Sequence, residues 1–410
     1  MDAELDNPGR PNPVFGAEAG NVTAINLFVP AYRIPECLAE IEKCLEIGWT
    51  GLGFKTIEFE NEWKAYTGLP NVHYLNSATA GLHLAVKILK EYYRWNDGDE
   101  IISTPITFVS TNHAILHERL NVVFADVDES LCLDPGSVEE RITQRTRAVM
   151  FVGMGGNIGS YYRLVEICRS RGLKLILDAA HLAGTRYLGA MPGGEADVVV
   201  YSYQAVKNLP TGDSGAICFA NPELARIARR QSWLGIDKDT FTRSDRTGAY
   251  DWKYNVLDLG HKYHGNSIMA AIAIVQLRYL DGDNSYRRQI AAWYDELFAG
   301  HEQIAPIPSV AGCESSRHLY QIAIDNRDET ISTLNRSEIY PGVHYIDNTS
   351  YDLYRFARGT CPRAHRMSNR ILSLPCHIRL TQQDVIKVAE HVIRIARGLS
   401  SSPLNVVGFG

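Results

Sequence analysis

The sequence predicts an α/β protein with a mainly parallel sheet of seven strands, followed by a smaller α+β unit at the C-terminal end. Three observations lead to this fold class. Between about residue 70 and residue 220, short apolar runs alternate with segments of helical period. After about residue 285, the pattern changes to mixed strands and helices. The 410 residues, of which 45% are hydrophobic, are enough for one large core and a smaller companion.

The apolar runs of the first part are short and rich in β-branched residues, which is typical of buried strands. They are "HYLN", "EIISTP", "VVFADVD", "AVMFVGM", "LKLILD", "VVVYS" and "GAICFA". Between them, "TAGLHLAVKILKEYY" and "YRLVEICRSRG" have the spacing of helices. Strands that alternate with helices form parallel sheets covered on both faces. Such sheets bind ligands at the carboxyl ends of their strands, so functional residues are expected just after the apolar runs.

The C-terminal part has a different organisation. Here "HLYQIAI" and "ILSLPCHI" read as strands, and "RDETISTLNRS" and "TQQDVIKVAEHVIRIARGL" read as helices. We therefore expect a flexible tail over 1–21, a large domain over 22–285 and a small α+β domain over 286–410. Residues 22–65 are expected to pack partly on the small domain.

Composition excludes several classes of protein. The formal net charge of -6 gives no general attraction to nucleic acid or to an anionic membrane. The N-terminal stretch lacks the basic and apolar regions of a secretory signal, and the apolar run 268–275 is too short to span a bilayer. The eight cysteines form no C-x-x-C pair, so neither a zinc site nor a disulfide framework is expected. Buried, reduced thiols in a cytoplasmic protein fit better.

The stretch "LNSATAGLHLAV" is the first of four polar elements at predicted strand ends. A strand ends at Leu75, and a helix begins near Ala78 after small residues. Free N–H groups and the helix dipole at such a start favour an anion such as phosphate. Ser77, Thr79 and the small residues after them allow close approach. The alternative is an N-cap with no further role.

The other three elements are single residues at or after strand ends. Asp178 ends "LKLILD" and is either a structural carboxylate or a functional charge. Ser202 ends "VVVYS" and is either an anion contact or a turn residue. Lys207 is either a solvated loop lysine or an amine whose lowered pKa makes it a nucleophile toward carbonyls. Together with the helix start, they match the parts of a pyridoxal phosphate site: a phosphate cradle, an acid for the pyridine nitrogen and a Schiff-base lysine.

Six segments in order resemble one known family, the DegT/DnrJ/StrS sugar aminotransferases. They are "NSATAGLHLAV", "TFVST", "VVFADVD", "LDAAHLAGT", "YSYQAVKNLPTGDSG" and "GHKYHGNSIMAAIAIVQL". The resemblance extends from about Trp49 to Arg394. It implies the fold type I architecture of the aspartate aminotransferase superfamily and pyridoxal 5'-phosphate as cofactor.

The resemblance also implies roles for individual residues. Lys207 corresponds to the Schiff-base lysine that moves the proton, and Asp178 to the acid paired with the pyridine nitrogen. Phe108 in "TFVST" corresponds to the residue stacked on the ring, although simple core packing is an alternative. His181 takes the place of the family's Gln or His beside the ring hydroxyl.

The implied phosphate contacts include departures from the family pattern. Ala78, Thr79 and Ser202 correspond to residues that hold the phosphate. Ala78 stands where the family has Gly, so it is expected to need a backbone conformation that Gly usually supplies. Lys262 stands where the family has an Asn that reaches a phosphate across the dimer interface; it either adds a charge for an anion or is a surface residue.

Four further residues are candidates for contacts with the substrate. His344 in "GVHY" resembles a segment lining the family's substrate pocket. Arg317, Arg229 and Arg230 are possible phosphate contacts, but arginines usually face solvent.

The reaction implied is a two-step, ping-pong amino transfer from an amino acid, with glutamate as the expected donor, to a keto sugar linked to a nucleoside diphosphate. Alternatives are a free keto sugar, sugar acid or cyclitol as acceptor. A sugar dehydratase of the same family carries His at the lysine position, so Lys207 argues against that branch. A non-catalytic regulator that binds the cofactor is a further alternative. The resemblance implies a homodimer with shared active sites; no nucleic acid or membrane partner is expected.

Overall fold

The computed structural model describes residues 24–238 and 252–398, so the tail expected over 1–21 lies outside the described residues. The strands, in chain order, are β1 (Ile25–Asn26), β2 (Val72–Leu75), β3 (Glu100–Ser103), β4 (Asn121–Phe124), β5 (Thr146–Val152), β6 (Lys174–Asp178), β7 (Arg186–Tyr187), β8 (Val198–Ser202), β9 (Gly215–Phe219), β10 (Ile304–Pro306), β11 (Cys313–Glu314), β12 (Tyr320–Ile324), β13 (Ile339–Tyr340) and β14 (Ile371–Leu374). The α-helices within the described residues are α1 (Ile34–Ile47), α2 (Phe54–Thr67), α3 (Ala78–Tyr93), α4 (Val109–His117), α5 (Pro135–Arg141), α6 (Tyr161–Arg171), α7 (Pro222–Ser232), α8 (Ser267–Leu277), α9 (Leu280–Phe298), α10 (Arg327–Arg336), α11 (Pro362–Ser368) and α12 (Gln382–Ala396).

A seven-stranded sheet forms the centre of the fold, with the strand order β2-β9-β8-β6-β5-β3-β4. Neighbouring strands run parallel except at β9, which pairs antiparallel with β2 and β8. The prediction of a mainly parallel, seven-stranded sheet is confirmed. Strand β6 ends at Asp178 and the adjacent strand β8 ends at Ser202, so both polar residues lie at the same edge of the sheet.

Helix α3 begins where the sequence predicts and packs directly on the sheet. The Ser77 hydroxyl caps it by accepting the N–H of Ala80 at 3.1 Å. Gly81 allows close packing, because a Cβ there would lie 2.7 Å from Cγ1 of Val200 in β8. The start of α3 is therefore held against the strand that leads to the candidate lysine.

A second apolar core surrounds the antiparallel sheet β10-β12-β14. Strand β1 pairs in parallel with β13, which brings the beginning of the described chain to this part of the molecule. Helix α9 contributes Leu280 to the core of the large sheet and Ile290 to the second core. The predicted boundary at residue 285 thus falls inside a helix, and the division into two domains stays a prediction.

Three further features concern membrane-spanning helices, metal-binding clusters and the state of the cysteines. No helix among residues 24–238 and 252–398 is long and apolar enough to cross a membrane. The same part of the chain has no cluster of three or more His, Cys, Asp or Glu side chains suited to a metal ion. All eight cysteines are free thiols, and all but Cys313 are buried. They pack as small, largely apolar side chains.

Candidate active site

Asp178 lies buried at the end of β6. Its carboxylate accepts hydrogen bonds from the Thr111 hydroxyl at 2.8 Å and from the Ala180 N–H at 3.1 Å. Burial raises the pKa of Asp178, whereas these two donors and the charge of Lys207 lower it. The protein thus holds a desolvated acid in a fixed orientation at the edge of the sheet.

Lys207 lies in the turn that follows β8, and its side chain is only partly exposed. The turn is fixed by the backbone, because the Lys207 N–H donates to the Gln204 carbonyl at 2.8 Å and the Ala205 N–H donates to Gly212 at 3.1 Å. Burial lowers the pKa of Lys207 to about 8, and the charge of Asp178 opposes part of that shift. Within the described residues, its Nζ has no hydrogen bond or ion pair. This amine therefore gives up its proton more readily than an ordinary lysine does.

His181 is buried beside this pair, and its hydrogen bonds define its tautomer. The Gly155 N–H points at His181 Nδ1 at 3.2 Å, so Nδ1 accepts and the proton sits on Nε2. That Nε2–H faces the hydroxyl oxygen of Tyr345 at 3.2 Å. Burial, Lys207 and His344 together keep the pKa of His181 well below its ordinary value. His181 is therefore neutral and leaves the Tyr345 hydroxyl proton available to another acceptor.

His318 and Asn208 form a second pair next to His181. The Asn208 amide nitrogen donates to Asn284 and to the Ser316 carbonyl, both at 2.7 Å, so its oxygen is the acceptor for Nδ1–H of His318 at 2.9 Å. The His318 and His181 rings have their centroids 4.3 Å apart. Burial and the neighbouring charges hold the pKa of His318 well below its usual range. Both imidazole rings are thus uncharged, and both line the site.

His344, which the sequence singled out, does lie near this group. Its Nδ1 is 2.9 Å from the Ser373 hydroxyl, and its ring centroid is 5.0 Å from that of Tyr345. Burial and the charge of Lys207 lower the pKa of His344 to about 4. The structure therefore places a neutral imidazole at this position.

The start of helix α3 corrects one expectation. Ala78 is not among the residues with positive φ, so its backbone needs no conformation that Gly supplies. The close approach is made instead by Gly215 at the start of β9, where a Cβ would lie 2.7 Å from the Ala78 nitrogen. The first N–H groups of a helix have no partner within it, so those of Ala78 and Thr79 are available to a ligand.

Ser202 and Phe108 complete the predicted cofactor contacts. Ser202 is buried at the end of β8, and its hydroxyl accepts the Gln204 N–H at 3.4 Å. Phe108 precedes α4 and is 59% exposed, with its ring centroid 6.1 Å from that of Tyr345. The alternative of core packing for Phe108 is therefore wrong. Its ring is free to contact a planar ligand.

Lys262 lies on the Trp233 ring, with Nζ 3.4 Å from the ring centroid. Partial burial lowers the pKa of Lys262. Its carbonyl accepts the Asn76 side-chain amide at 3.1 Å, so the Lys262 segment borders the start of α3. Within one chain, the ammonium group itself is engaged with an aromatic face.

The three candidate arginines differ in whether they form ion pairs within the described part of the chain. Arg229 and Arg230 form ion pairs with Glu60 and Asp258, so both are already engaged within the chain. The suggestion that they meet a substrate phosphate is not supported. Arg317 is partly exposed and directly precedes His318; its guanidinium has no hydrogen bond or ion pair in the part of the chain that the structure describes.

Sequence reasoning missed several residues of this site. Thr111 lies in the quoted "TFVST" segment, and Tyr345 follows His344 in "GVHY", so both could have been found from those motifs. No pattern marked Asn208 or His318, because their pairing joins positions far apart in the chain.

The family model of the DegT/DnrJ/EryC1/StrS aminotransferases matches residues 33–393. The chain belongs to this family. The mainly parallel, seven-stranded sheet agrees with the fold of solved sugar aminotransferases. The chain is an aminotransferase by family.

Three relatives show how closely the chain follows the family. A dTDP-4-dehydro-2,3,6-trideoxy-D-glucose 4-aminotransferase of Saccharopolyspora spinosa is 33% identical over 89% of this chain and 95% of its own length. The aminotransferase TlmJ of Streptoalloteichus hindustanus has a TM-score of 0.83 at 31% identity, over 90% of this chain and 98% of that one. A sugar aminotransferase of Streptococcus pneumoniae, Spr1654, described as putative, was solved in a PLP form; it has a TM-score of 0.83 at 26% identity over 92% of this chain and 100% of that one. All three likenesses span nearly the whole chain.

Proposed function

We propose that this chain is a pyridoxal 5'-phosphate-dependent aminotransferase that takes an amino group from L-glutamate and gives it to a keto sugar linked to a nucleoside diphosphate. One observation carries the proposal. Lys207, with a pKa lowered to about 8 and no partner in the described residues, lies within electrostatic reach of the buried Asp178. An amine that loses its proton easily, close to a fixed acid, is the combination that this chemistry needs.

The residues present fit this cofactor. The free N–H groups of Ala78 and Thr79, with the Ser202 hydroxyl, offer donors for its phosphate. The exposed ring of Phe108 offers a face for its ring. Asp178 accepts only two hydrogen bonds from the described residues, so its carboxylate can accept a further donor. A relative solved in a PLP form supports the assignment.

When bound, pyridoxal phosphate supplies an electron sink for the carbon that loses its proton. Asp178, whose carboxylate is oriented by Thr111 and Ala180, would accept a hydrogen bond from the pyridine nitrogen and so keep it protonated. Lys207 would hold the cofactor through its Nζ and, once freed by the donor, would accept a proton from the substrate carbon and later return one. His181 is proposed to contact the ring hydroxyl, with Tyr345 next to it as a further donor.

The keto sugar is the proposed acceptor because the chain matches a relative described as acting on a dTDP-linked keto-deoxysugar. A free keto sugar, sugar acid or cyclitol is the alternative acceptor. A screen of amino donors against nucleotide-linked and free keto sugars, read by mass spectrometry, distinguishes the two. We expect aminated product only with the nucleotide-linked acceptors. Equal amination of the free keto sugars would contradict the acceptor assignment.

A homodimer with shared active sites is the proposed assembly. The segment 252–259, which we name the apolar strip, exposes side chains that usually avoid water: Trp252, Tyr254, Val256, Leu257 and Leu259. The strip leads directly into Lys262 and the segment bordering the start of α3. A second copy that covers the strip therefore approaches the cofactor site, and Lys262 is proposed to contribute to the partner's phosphate.

A further inference from the structure

Arg287 in helix α9 is a buried cation with little to neutralise it. Arg287 as a whole residue is only 9% exposed to solvent. The described residues give it one hydrogen bond, from Nη1 to the Asn284 side-chain oxygen, and this bond is long at 3.4 Å. Guanidinium groups carry five donors, so most of the hydrogen-bonding capacity of Arg287 is unused.

The nearest acid does not pair with Arg287. Asp283, one turn earlier in α9, accepts two hydrogen bonds from Arg33, at 2.8 and 2.6 Å. Burial lowers the pKa of Arg287; the charge of Asp283 raises it, and that of Arg33 lowers it again. Because Arg33 already forms a bidentate pair with Asp283, Arg287 remains a surplus positive charge.

Arg287 and Lys207 line the same cavity. Asp283 is the only carboxylate among the described residues that line it, and His318 contributes a neutral ring. His377 also lines it, with an Nδ1 that is buried and has no hydrogen-bond partner. The cavity thus joins the reactive amine to an unpaired guanidinium.

We propose that Arg287 binds a carboxylate of the amino donor while the donor's amino group is directed toward Lys207. The inference rests on the proposed function and names the group that recognises its donor. A guanidinium matches a carboxylate in charge and in its paired geometry. A keto-deoxysugar acceptor carries no carboxylate, so only the amino donor needs Arg287.

The test uses the cofactor-loaded enzyme with the variants R287Q and R287K, and R288Q as the matched control. Arg288 is the next residue of the same helix, and its guanidinium donates to the Ser315 carbonyl at 3.4 Å. Calorimetry measures the affinity for glutarate, a dicarboxylate without an amino group. Steady-state kinetics measure KM for glutamate and for the sugar acceptor separately.

For R287Q, the glutarate Kd and the glutamate KM are expected to rise roughly 10- to 100-fold, which is typical of losing a hydrogen-bonded charge pair. The acceptor KM, the visible cofactor band and all properties of R288Q are expected to stay unchanged. R287K keeps the charge without the paired geometry and is expected to fall between wild type and R287Q. R287K also supplies the result if R287Q does not fold.

Other outcomes overturn the inference. A rise in the acceptor KM alone would assign Arg287 to the sugar nucleotide's phosphates, and loss of the cofactor band would assign it to the cofactor. Unchanged glutarate and glutamate binding in both variants would make its role structural. Failure of the proposed function is distinguishable, because in that case the wild-type enzyme transfers no amino group from any donor.

Discussion

Asp178 ends strand β6 and Lys207 lies in the turn after the neighbouring parallel strand β8, and the charge of each moderates the pKa shift that burial gives to the other. Burial alone favours a neutral acid and a neutral amine. The opposite charge favours the ionised form of both. The balance leaves an amine that titrates close to neutral pH beside an acid that two hydrogen bonds hold in place.

Thr111 is predicted to act as a positioning residue for Asp178. Thr111→Val removes the 2.8 Å hydrogen bond to the carboxylate and raises the pKa of Asp178 further. A bond of this kind contributes about 1.5–3 kcal/mol, so kcat/KM is expected to fall roughly 10- to 100-fold, with the acid limb of the pH profile moved to higher pH. Thr111→Ser keeps the hydroxyl and is expected to restore both. Ser110→Ala, on the same helix, serves as control. An unmoved acid limb in the valine variant would argue against this role.

Lys207 is predicted to make the cofactor-free protein more stable at alkaline pH. Its folded-state pKa of about 8 lies below the ordinary value of 10.5, so the unfolded chain binds the proton more readily between these two pH values. The contribution of Lys207 to stability therefore rises with pH through that window, by up to about 3 kcal/mol before solvent screening is taken into account. Lys207→Met is expected to be more stable than wild type at pH 7, with the difference shrinking toward pH 10.5. Denaturant unfolding at both pH values measures this. A constant difference between the two proteins would contradict it.

Gly215 is predicted to be essential for the start of helix α3. Gly215→Ala places a Cβ 2.7 Å from the Ala78 nitrogen and also 2.7 Å from the Tyr201 carbonyl oxygen, so the backbone must shift. Such overpacking typically costs about 1–3 kcal/mol, and cofactor affinity is expected to fall because the phosphate donors move. Gly282→Ala has no atom within 4 Å of the new Cβ and is the control. Thermal melting and titration with the cofactor test the prediction; full affinity in Gly215→Ala would show that the cradle lies elsewhere.

The apolar strip 252–259 is predicted to be covered by a second copy. Leu259 is 83% exposed, and Leu259→Glu is expected to produce monomers because a charge would have to be buried at the interface. Activity is expected to fall with dimer content, since Lys262 follows the strip. Leu353→Glu, at a residue that is 56% exposed elsewhere on the chain, is the control. Light scattering measures the oligomeric state of each protein. A wild-type protein that is both monomeric and active would contradict the shared site.

The sequence was sufficient to predict the central sheet and the residues at its edge. Apolar runs end at Asp178 and Ser202, and regular alternation of strands and helices places such ends together. It was not sufficient for contacts made between distant segments. The Thr111–Asp178 bond spans 67 positions, and the pairing of His318 with Asn208 spans 110. A motif contains Thr111, but no local pattern indicates which distant residue Thr111 or Asn208 contacts.

Two other misses have physical causes. Ala78 was assigned the unusual backbone because the family has Gly at that position, but the close approach is made from the sheet side by Gly215. Arg287 lies in a helix with polar residues on much of its surface, where arginines usually face solvent. Only the packing of α9 against Arg33 and the cavity shows that it is buried without a matching acid.

Borohydride reduction of the cofactor-loaded enzyme, followed by peptide mapping, tests the central claim most directly. The account predicts a visible absorption band that disappears on reduction and one phosphopyridoxyl group, attached to Lys207. Reduced adduct on another lysine, or a protein that stays colourless when mixed with pyridoxal phosphate, would contradict it.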